Sequence, residues 1–313
     1  MQKLKVAVVG AGYLGEFHAQ KYSFLKSANL VAVVDTDKER CNAIAQKMST
    51  QALHHYTDLV GKVDAVSIVT PTTTHYAIGK FFLENNIHVL MEKPITTTVL
   101  EAEELIEIAK RNKLVLQVGY LERFNPILAF VKNKIHKPRF IEATRISPFN
   151  PRNKDVDVVL DLMIHDIDLI QHIVQSPITE IMASGTCVLT KEIDIANARI
   201  HFKNECVANV TASRISLKSE RKMRIFQNDA YISMDLHHKK VAICTKGEGE
   251  MFPGIPNIHQ EEHSAEQFDA LLEEITSFVN AVQNHEPPSV TGEDGKSALQ
   301  TALRIVSLVH KGT

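Results

Sequence analysis

The stretch that most constrains this chain is Gly10-Ala11-Gly12-Tyr13-Leu14-Gly15. Before it runs Lys5-Val6-Ala7-Val8-Val9, nearly unbroken apolar and β-branched, and after it Tyr13 to Lys26 has helical periodicity. Strand, glycine turn and helix in that order is the context that gives G-x-G-x-x-G its meaning. Gly10 permits the tight turn, Gly12 leaves room for a pyrophosphate to reach the backbone, and Gly15 lets helix and strand pack closely. With Tyr13 and Leu14 they form a phosphate-binding turn, since the unpaired N–H groups of a helix start attract an anion. A second apolar run, Leu30-Val31-Ala32-Val33-Val34, ends at Asp35. That is about 20 residues beyond Gly15, where a carboxylate accepts bonds from both hydroxyls of an adenosine ribose. Asp35 repels a 2′-phosphate, and Thr36 and Asp37 offer no arginine to hold one. The pattern therefore predicts NAD in preference to NADP.

The alternation continues. Lys38 to Met48 reads as a helix and Asp64 to Val69 as a buried parallel strand. Thr70-Pro71-Thr72-Thr73-Thr74-His75 turns into a helix that runs to about Asn86. The strand Ile87 to Met91 ends at Glu92-Lys93-Pro94, a helix covers Glu101 to Lys110, and Leu114 to Val118 is a further strand. This predicts a doubly wound parallel (Rossmann) sheet over residues 1–120. Ligands of such sheets lie beyond the carboxyl ends of the strands. That rule groups Gly10, Asp35, Thr70 to Thr72, Lys93 and Gln117, with Pro71, His75 and Glu92 on the cofactor side.

From residue 121 to 313 the texture is α+β. Strand-like runs cover Phe140 to Ile146, Ile178 to Ser184, Ala196 to Phe202, Cys206 to Ser213, Arg221 to Gln227, Ala230 to Asp235 and Lys240 to Cys244. Short polar turns between them predict an open, mostly antiparallel sheet. A helix over Val158 to Gln175 interrupts the strands, a polar loop covers Gly247 to Pro256, and helices follow over Ala265 to Asn284 and Gly295 to His310. A cleft between the two domains is the expected ligand site. A sheet with one uncovered face favours a homodimer or homotetramer.

Two domains fit 313 residues, and 44 % apolar with 23 % charged residues is ordinary for a soluble globular chain. A net charge of −2 argues against a nucleic-acid surface. No apolar run approaches the roughly 20 residues needed to cross a bilayer, and Met1-Gln2-Lys3 leads straight into a strand without a leader pattern. Cys41, Cys187, Cys206 and Cys244 are widely spaced. They read as thiols of a reducing cytoplasm, with neither a disulfide frame nor a metal site.

Two groups carry candidate chemistry. On a helix through residues 157–175, Leu160, Met163, Ile164, Ile167, Ile170 and Val174 form one apolar stripe, while Asp161, His165, Asp168 and His172 share another face. A carboxylate four residues before an imidazole can orient it and raise its basicity, as a base removing a hydroxyl proton needs. The same spacing fits a solvated polar face. Lys93 ends a buried strand at the cofactor edge, where an ammonium can steady a developing alkoxide. It fits a strand-end ion pair with Glu92 equally well.

Gly-Ala-Gly-Tyr-Leu-Gly-Glu-Phe-His-Ala (10–19), Thr-Pro-Thr-Thr-Thr-His (70–75), Met-Glu-Lys-Pro (91–94) and Asp-Leu-Met-Ile-His-Asp-Ile-Asp-Leu (161–169), in this order, resemble the glucose–fructose oxidoreductase and inositol dehydrogenase (Gfo/Idh/MocA) family. The resemblance spans essentially the whole chain. It implies NAD(P)-linked oxidation or reduction at a sugar or cyclitol carbon. Lys93, Asp161 and His165 match the lysine and D-x-x-x-H groups of that family's chemistry, without deciding whether Lys93 or His165 is the base. The segments Gln117 to Pro126 and Asp157 to Ile170 further resemble the branch that oxidises UDP-N-acetylglucosamine, or its uronic acid, at C3. The 3-keto product of that branch goes to a PLP-dependent aminotransferase for lipid A or surface polysaccharide. Arg123, Asn125, Arg145 and Arg152 would then contact the substrate together with Lys93 and His165, an arginine fork suiting a diphosphate or a uronate. A dehydrogenase of a free cyclitol or sugar, and a non-catalytic NAD-binding regulator, are the other readings.

Overall fold

The computed structural model describes residues 3–150, 156–265 and 268–312. The chain divides into two units, Met1–Leu121 with Asp269–Leu299, and Glu122–Phe268 with Gln300–Thr313.

The first unit begins β1 (Leu4–Val9), α1 (Tyr13–Phe24), β2 (Ala28–Val34), α2 (Lys38–Lys47), β3 (Gln51–Leu53) and β4 (Ala65–Ile68). It continues α3 (Thr72–Glu84), β5 (His88–Glu92), α4 (Val99–Arg111) and β6 (Leu116–Gly119). The strands pair in the order β3-β2-β1-β4-β5-β6, all parallel. Register aligns Val9 with Val34 and with Ile68, Ile68 with Met91, and Met91 with Val118. The residues that follow these positions (Gly10, Asp35, Val69, Glu92 and Gly119) therefore share one edge of the sheet. Strand order reverses between β1 and β4, the crevice where such sheets bind ligands. Val6 to Val9 and Ala65 to Ile68 are all buried, as parallel strands with both faces covered must be. Thr98 and Glu101 form a reciprocal capping box at the start of α4.

The second unit contains α5 (Pro126–Val131), β7 (Phe140–Ile146), a π-helical turn (Val159–Met163) and α6 (Ile164–Val174). Its remaining strands are β8 (Ile178–Thr186), β9 (Ile195–Phe202), β10 (Val207–Ser213), β11 (Glu220–Phe226), β12 (Ala230–Asp235), β13 (Lys240–Phe252) and β14 (Ile255–Ser264). They form one sheet, β14-β13-β12-β11-β7-β10-β9-β8. Every pair is antiparallel except β7 with β10. Along β7 the buried residues alternate as Ile141, Ala143 and Arg145, so the sheet has one covered face. The buried residues Ile164, Ile167, Leu169 and Ile170 of α6 supply apolar cover.

Several elements differ from expectation. The loop expected over Gly247 to Pro256 is a hairpin, because β13 runs on to Phe252 and β14 starts at Ile255, with Gly254 at φ +79° between them. Met251, Phe252, Ile255 and Ile258 are exposed, so the segment lacks the buried alternation that marks a strand in sequence. The helix expected from Ala265 is α7 (Ala270–Asn284), started by Asp269, whose side chain accepts from the Leu272 N–H at 3.0 Å. That helix belongs to the first unit and not to a continuous second domain. Ile275, Phe278, Val279 and Val282 join the core of Val6, Val8, Tyr22, Val33 and Leu90, an apolar stripe covering sheet surface far away in sequence. The last helix, α8 (Gly292–Gly312), is divided between the units after Leu299. Among the described residues no helix is long and apolar enough to cross a membrane.

Asp194, fully buried, organises the loop after β8. One oxygen accepts the N–H groups of Val188, Leu189 and Thr190 at 2.7, 2.6 and 2.9 Å, and the other accepts Arg214 Nε at 2.7 Å. Arg214 also donates to the Val156 carbonyl, and Asp157 accepts the Ile193 N–H at 2.9 Å. The start of the π-helical turn is thus tied to this hub. Burial opposes the charge on Asp194, but the N–H groups of Thr190 and Val188 and the Arg214 guanidinium hold its carboxyl far below the ordinary range. Asp194→Ala strands Arg214 and is expected to cost about 3–5 kcal/mol. A depressed folded pKa stabilises the fold above the unfolded value, so the gap to wild type should narrow below about pH 4. Urea denaturation at pH 7 and at pH 3 checks both.

Candidate functional site

In the first unit the glycine turn is built by close approach. Gly10 sits at φ +104°, and a Cβ there would lie 2.4 Å from the Val69 carbonyl oxygen. A Cβ on Gly15 would lie 1.8 Å from the Gly10 oxygen, so α1 can start where it does only with glycine at that position. Gly12 faces open space and caps α1 with no side-chain bond. A helix start of this kind offers its first-turn N–H groups to an anion. This cradle fits a dinucleotide pyrophosphate.

Asp35 stands at the end of β2. It accepts the N–H groups of Ala11 at 2.7 Å and Asp37 at 2.8 Å, and Arg40 Nη2 at 3.1 and 3.2 Å. Burial works against its charge, yet these partners hold the carboxyl below its ordinary value, an anion ready to accept ribose hydroxyls. Thr36 and Asp37 offer no arginine, but Arg40 does, on the first turn of α2, five residues beyond Asp35.

Thr70 and Pro71 follow β4, and Thr70 Oγ1 accepts from Thr74 at 2.7 Å. His75 is buried with Nε2 2.9 Å from the Thr70 carbonyl and Nδ1 2.9 Å from the Pro94 carbonyl. It fastens the two turns to each other from below. Burial pushes its pKa down although both carbonyls favour the charged ring.

Glu92, at the end of β5, accepts His18 Nε2 at 3.1 Å and the Lys93 N–H at 3.2 Å. Burial raises its pKa, and the bond and charge of His18 with the charge of Lys93 outweigh that and bring it down. Lys93 is thus held beside an anion at the sheet edge. Gln117 is buried, with Nε2 3.2 Å from the Glu274 carbonyl oxygen. The Glu274 side chain is fully buried, and among the described residues neither of its oxygens has a hydrogen-bond partner. Burial first, then the negative charge of Glu92, drives its pKa well up. Sequence patterning missed it because Glu274 reads as a helix-surface acid beside Glu273.

In the second unit, Asp161 lies in the π-helical turn and His165 in the first turn of α6, both half-buried. The uninterrupted helix expected over Val158 to Gln175 is therefore not the local geometry. A π turn inserts one residue and rotates the faces before and after it, a feature common at functional sites. Asp168 is buried and takes a two-point bond from Arg123 at 2.6 and 2.8 Å, while His172 is exposed. Arg145 gives two bonds to Asp166, at 2.8 and 2.9 Å, and one to Glu122 at 2.9 Å. Glu122 also takes Arg221 at 3.3 Å. Burial opposes the Arg145 charge, but Asp166 and Glu122 push its pKa further up. Burial raises Asp166 against the pull of Arg145. Asn125 donates to the Leu236 carbonyl at 3.0 Å and caps α5. Arg123, Asn125 and Arg145, expected as substrate contacts, are buried in this network. For Arg145 the physical reason is that β7 alternation turns it to the covered face, where its buried charge is met by the carboxylates of Asp166 and Glu122. Arg152 lies outside the described residues. Among those described, no group of three or more His, Cys, Asp or Glu residues can hold a metal ion.

Sheet, glycine cradle and the Asp35 carboxylate together define a dinucleotide-binding domain. Residues 4–120 match the model of an oxidoreductase family with an NAD-binding Rossmann fold, and residues 132–233 match a GFO/IDH/MocA C-terminal domain. The chain belongs to the Gfo/Idh/MocA family, and NAD is its cofactor. It is 38 % identical to the UDP-N-acetylglucosamine 3-dehydrogenase of Acidithiobacillus ferrooxidans over 97 % of both chains. A solved structure of that enzyme superposes with a TM-score of 0.94, covering 99 % of each chain at 37 % identity. Myo-inositol 2-dehydrogenase of Thermotoga maritima is 25 % identical, over 95 % of this chain and 93 % of its own.

Glu274 yields a prediction. Its folded pKa stands above the unfolded value, so its contribution to stability is intact below about pH 4 and is lost as pH rises. Glu274→Met removes both the titration and the unpaired oxygens. The variant should be more stable than wild type at pH 8, on the order of 1–3 kcal/mol, with the advantage shrinking toward acid pH. Chemical denaturation across pH 5 to 8 measures it, and a variant weaker than wild type at pH 8 would refute the assignment.

Proposed function

We propose that this protein is an NAD-dependent dehydrogenase that oxidises the C3 hydroxyl of UDP-N-acetylglucosamine, or of its uronic acid, to a 3-keto sugar. The observation that carries this reading is 38 % identity along 97 % of both chains to an enzyme named for that reaction, with Lys93, Asp161 and His165 all in place. Gly10, Gly12, Tyr13, Leu14, Gly15 and Asp35 hold the cofactor in this reading, with Thr70, Pro71, Glu92 and Gln117 at its nicotinamide end and His75 bracing the turns. NAD, when bound, supplies the hydride acceptor. His165, oriented by Asp161, takes the proton of the sugar hydroxyl. Lys93, beside the Glu92 carboxylate, steadies the alkoxide. Arg123, Asn125 and Arg145 serve by fixing α6 and its neighbours, which leaves Arg152 as the arginine for a diphosphate or uronate.

The same reading makes the protein a cytoplasmic homodimer or homotetramer. Its product carries a ring ketone, the group that a PLP-dependent aminotransferase converts to an amine, here on the way to lipid A or surface polysaccharide.

The deciding assay follows NADH formation with UDP-N-acetylglucosamine, its uronic acid, UDP-glucose and myo-inositol, with a ketone trap to pull an unfavourable equilibrium. NADH only with an N-acetylated UDP-sugar is the expected outcome. NADH only with inositol would overturn the nucleotide-sugar claim and leave the dehydrogenase. With the active substrate, His165→Ala and Lys93→Met should each lower turnover at least about 100-fold while NAD affinity stays near wild type. Full rates in both would remove the proposed chemistry.

A further inference from the structure

A polar layer lies inside the first unit, between the sheet and the helices α1 and α7. Register sets Ser67, Leu90 and Gln117 side by side on β4, β5 and β6, and Glu92 opposite Gly119. Alternation turns all five to the same face. Tyr22 of α1 and Ser67 share a hydrogen bond of 2.8 Å, His18 of α1 meets Glu92, and Gln117 donates to the Glu274 carbonyl of α7. A Cβ on Gly119 would lie 3.1 and 3.2 Å from the two Glu92 oxygens, so the glycine leaves room for the carboxylate to lie across β6. The buried atoms His18 Nδ1, Gln117 Oε1 and both Glu274 oxygens have no hydrogen-bond partner among the described residues. With His18 neutral and donating from Nε2 to Glu92, all four of these atoms are acceptors. A proton on Glu274 supplies the donor the layer lacks, and it spares the interior a second carboxylate charge beside Glu92. The other titratable neighbours are fixed. Burial drives the Tyr22 hydroxyl far up, Lys21 is spent on Asp269 at 2.6 Å at the start of α7, and His75 of α3 is held between two carbonyls. His18, Glu92, Lys93 and Glu274 are left to share the charge of the layer.

We propose that Glu274 and Glu92 form a buried one-proton pair that answers the charge of the nicotinamide, giving up its proton beside NAD⁺ and holding it beside NADH. The inference rests on the placement of Glu92 at the nicotinamide end in the reading above, and it is independent of which sugar is oxidised. Next to a positive ring the pair is favoured as two carboxylates, and next to a neutral ring as one carboxylate and one acid. When a hydroxyl carbon is oxidised, its hydride goes to the ring and its hydroxyl proton is freed. The pair takes up one proton as the ring charge disappears, so charge and atoms balance. Glu274 acts here through Glu92, as a positioning residue. By linkage, raising the pH must then favour the oxidised cofactor over the reduced one.

The test is equilibrium titration of the full-length protein with NADH, followed by nicotinamide fluorescence, and with NAD⁺ by displacement of NADH. It compares wild type, Glu274→Gln and Glu274→Met at one ionic strength from pH 6.5 to pH 8.5. In wild type the ratio of NAD⁺ to NADH affinity should rise at least about threefold over that range, about tenfold per pH unit being the ceiling for one proton. In both variants the ratio should stay flat, with NADH affinity at pH 6.5 near that of wild type. A wild-type ratio that does not move with pH overturns the pair. A full slope that survives in either folded variant also overturns it, and assigns the linked proton to His18 or Lys93. Failure of wild type to bind either nucleotide would instead sink the dinucleotide assignment and this proposal with it. Melting temperatures of the three proteins separate a lost linkage from a lost fold, since a merely structural Glu274 would move the melting temperature and leave the pH slope.

Discussion

Three strand backbones meet at Gly10, and the first unit depends on how closely they can do so. Its N–H donates to the Val34 carbonyl at 2.8 Å, and the Val69 N–H donates to the Val9 carbonyl at 2.8 Å. The missing Cβ of Gly10 leaves room for the Val69 carbonyl, and the missing Cβ of Gly15 leaves room for Gly10 itself. The parallel register that follows from this junction puts Asp35, Thr70, Glu92 and Lys93 on one edge. The polar chemistry of the edge is thus a consequence of main-chain packing several residues deeper.

In the second unit the corresponding constraint is electrostatic. Glu122, Asp166 and Asp168 are buried with Arg123 and Arg145, and a second buried pair joins Asp194 to Arg214. Buried ion pairs add little net stability compared with apolar packing, but leaving one member unpaired is expensive. Their consequence is specificity of position. Two arginines clamp two acids of α6, one on each side of Ile167, so the rotation of that helix, and with it the aim of His165, is fixed by directional bonds and not by apolar contact alone.

The first unit carries a buried cost of its own. Glu274 is an unpaired carboxyl in an apolar core, and its neighbour Glu92 keeps the charge through His18 and Lys93. Such departures from local consistency concentrate where structure serves chemistry. They also explain why a residue that weakens the fold can persist next to the Glu92-Lys93 corner.

The sequence by itself determined the parallel sheet, the glycine turn and the carboxylate that ends β2, because each rests on interactions between residues near in sequence or on a period read along one element. What only the tertiary structure decided depends on distant partners. The assignment of α7 to the first unit follows from an apolar stripe whose sheet lies some 200 residues earlier in the chain. The π turn that carries Asp161 and leads into α6 leaves no trace in residue spacing. The arginines at 123 and 145 look like free cations in sequence, and only the alternation of β7 and the acids of α6 show them spent on carboxylates. Arg40 reaches Asp35 through the geometry of a cap and a first helical turn. Local pattern sets which elements form. Burial, felt across the chain, sets which charges within them remain available for chemistry.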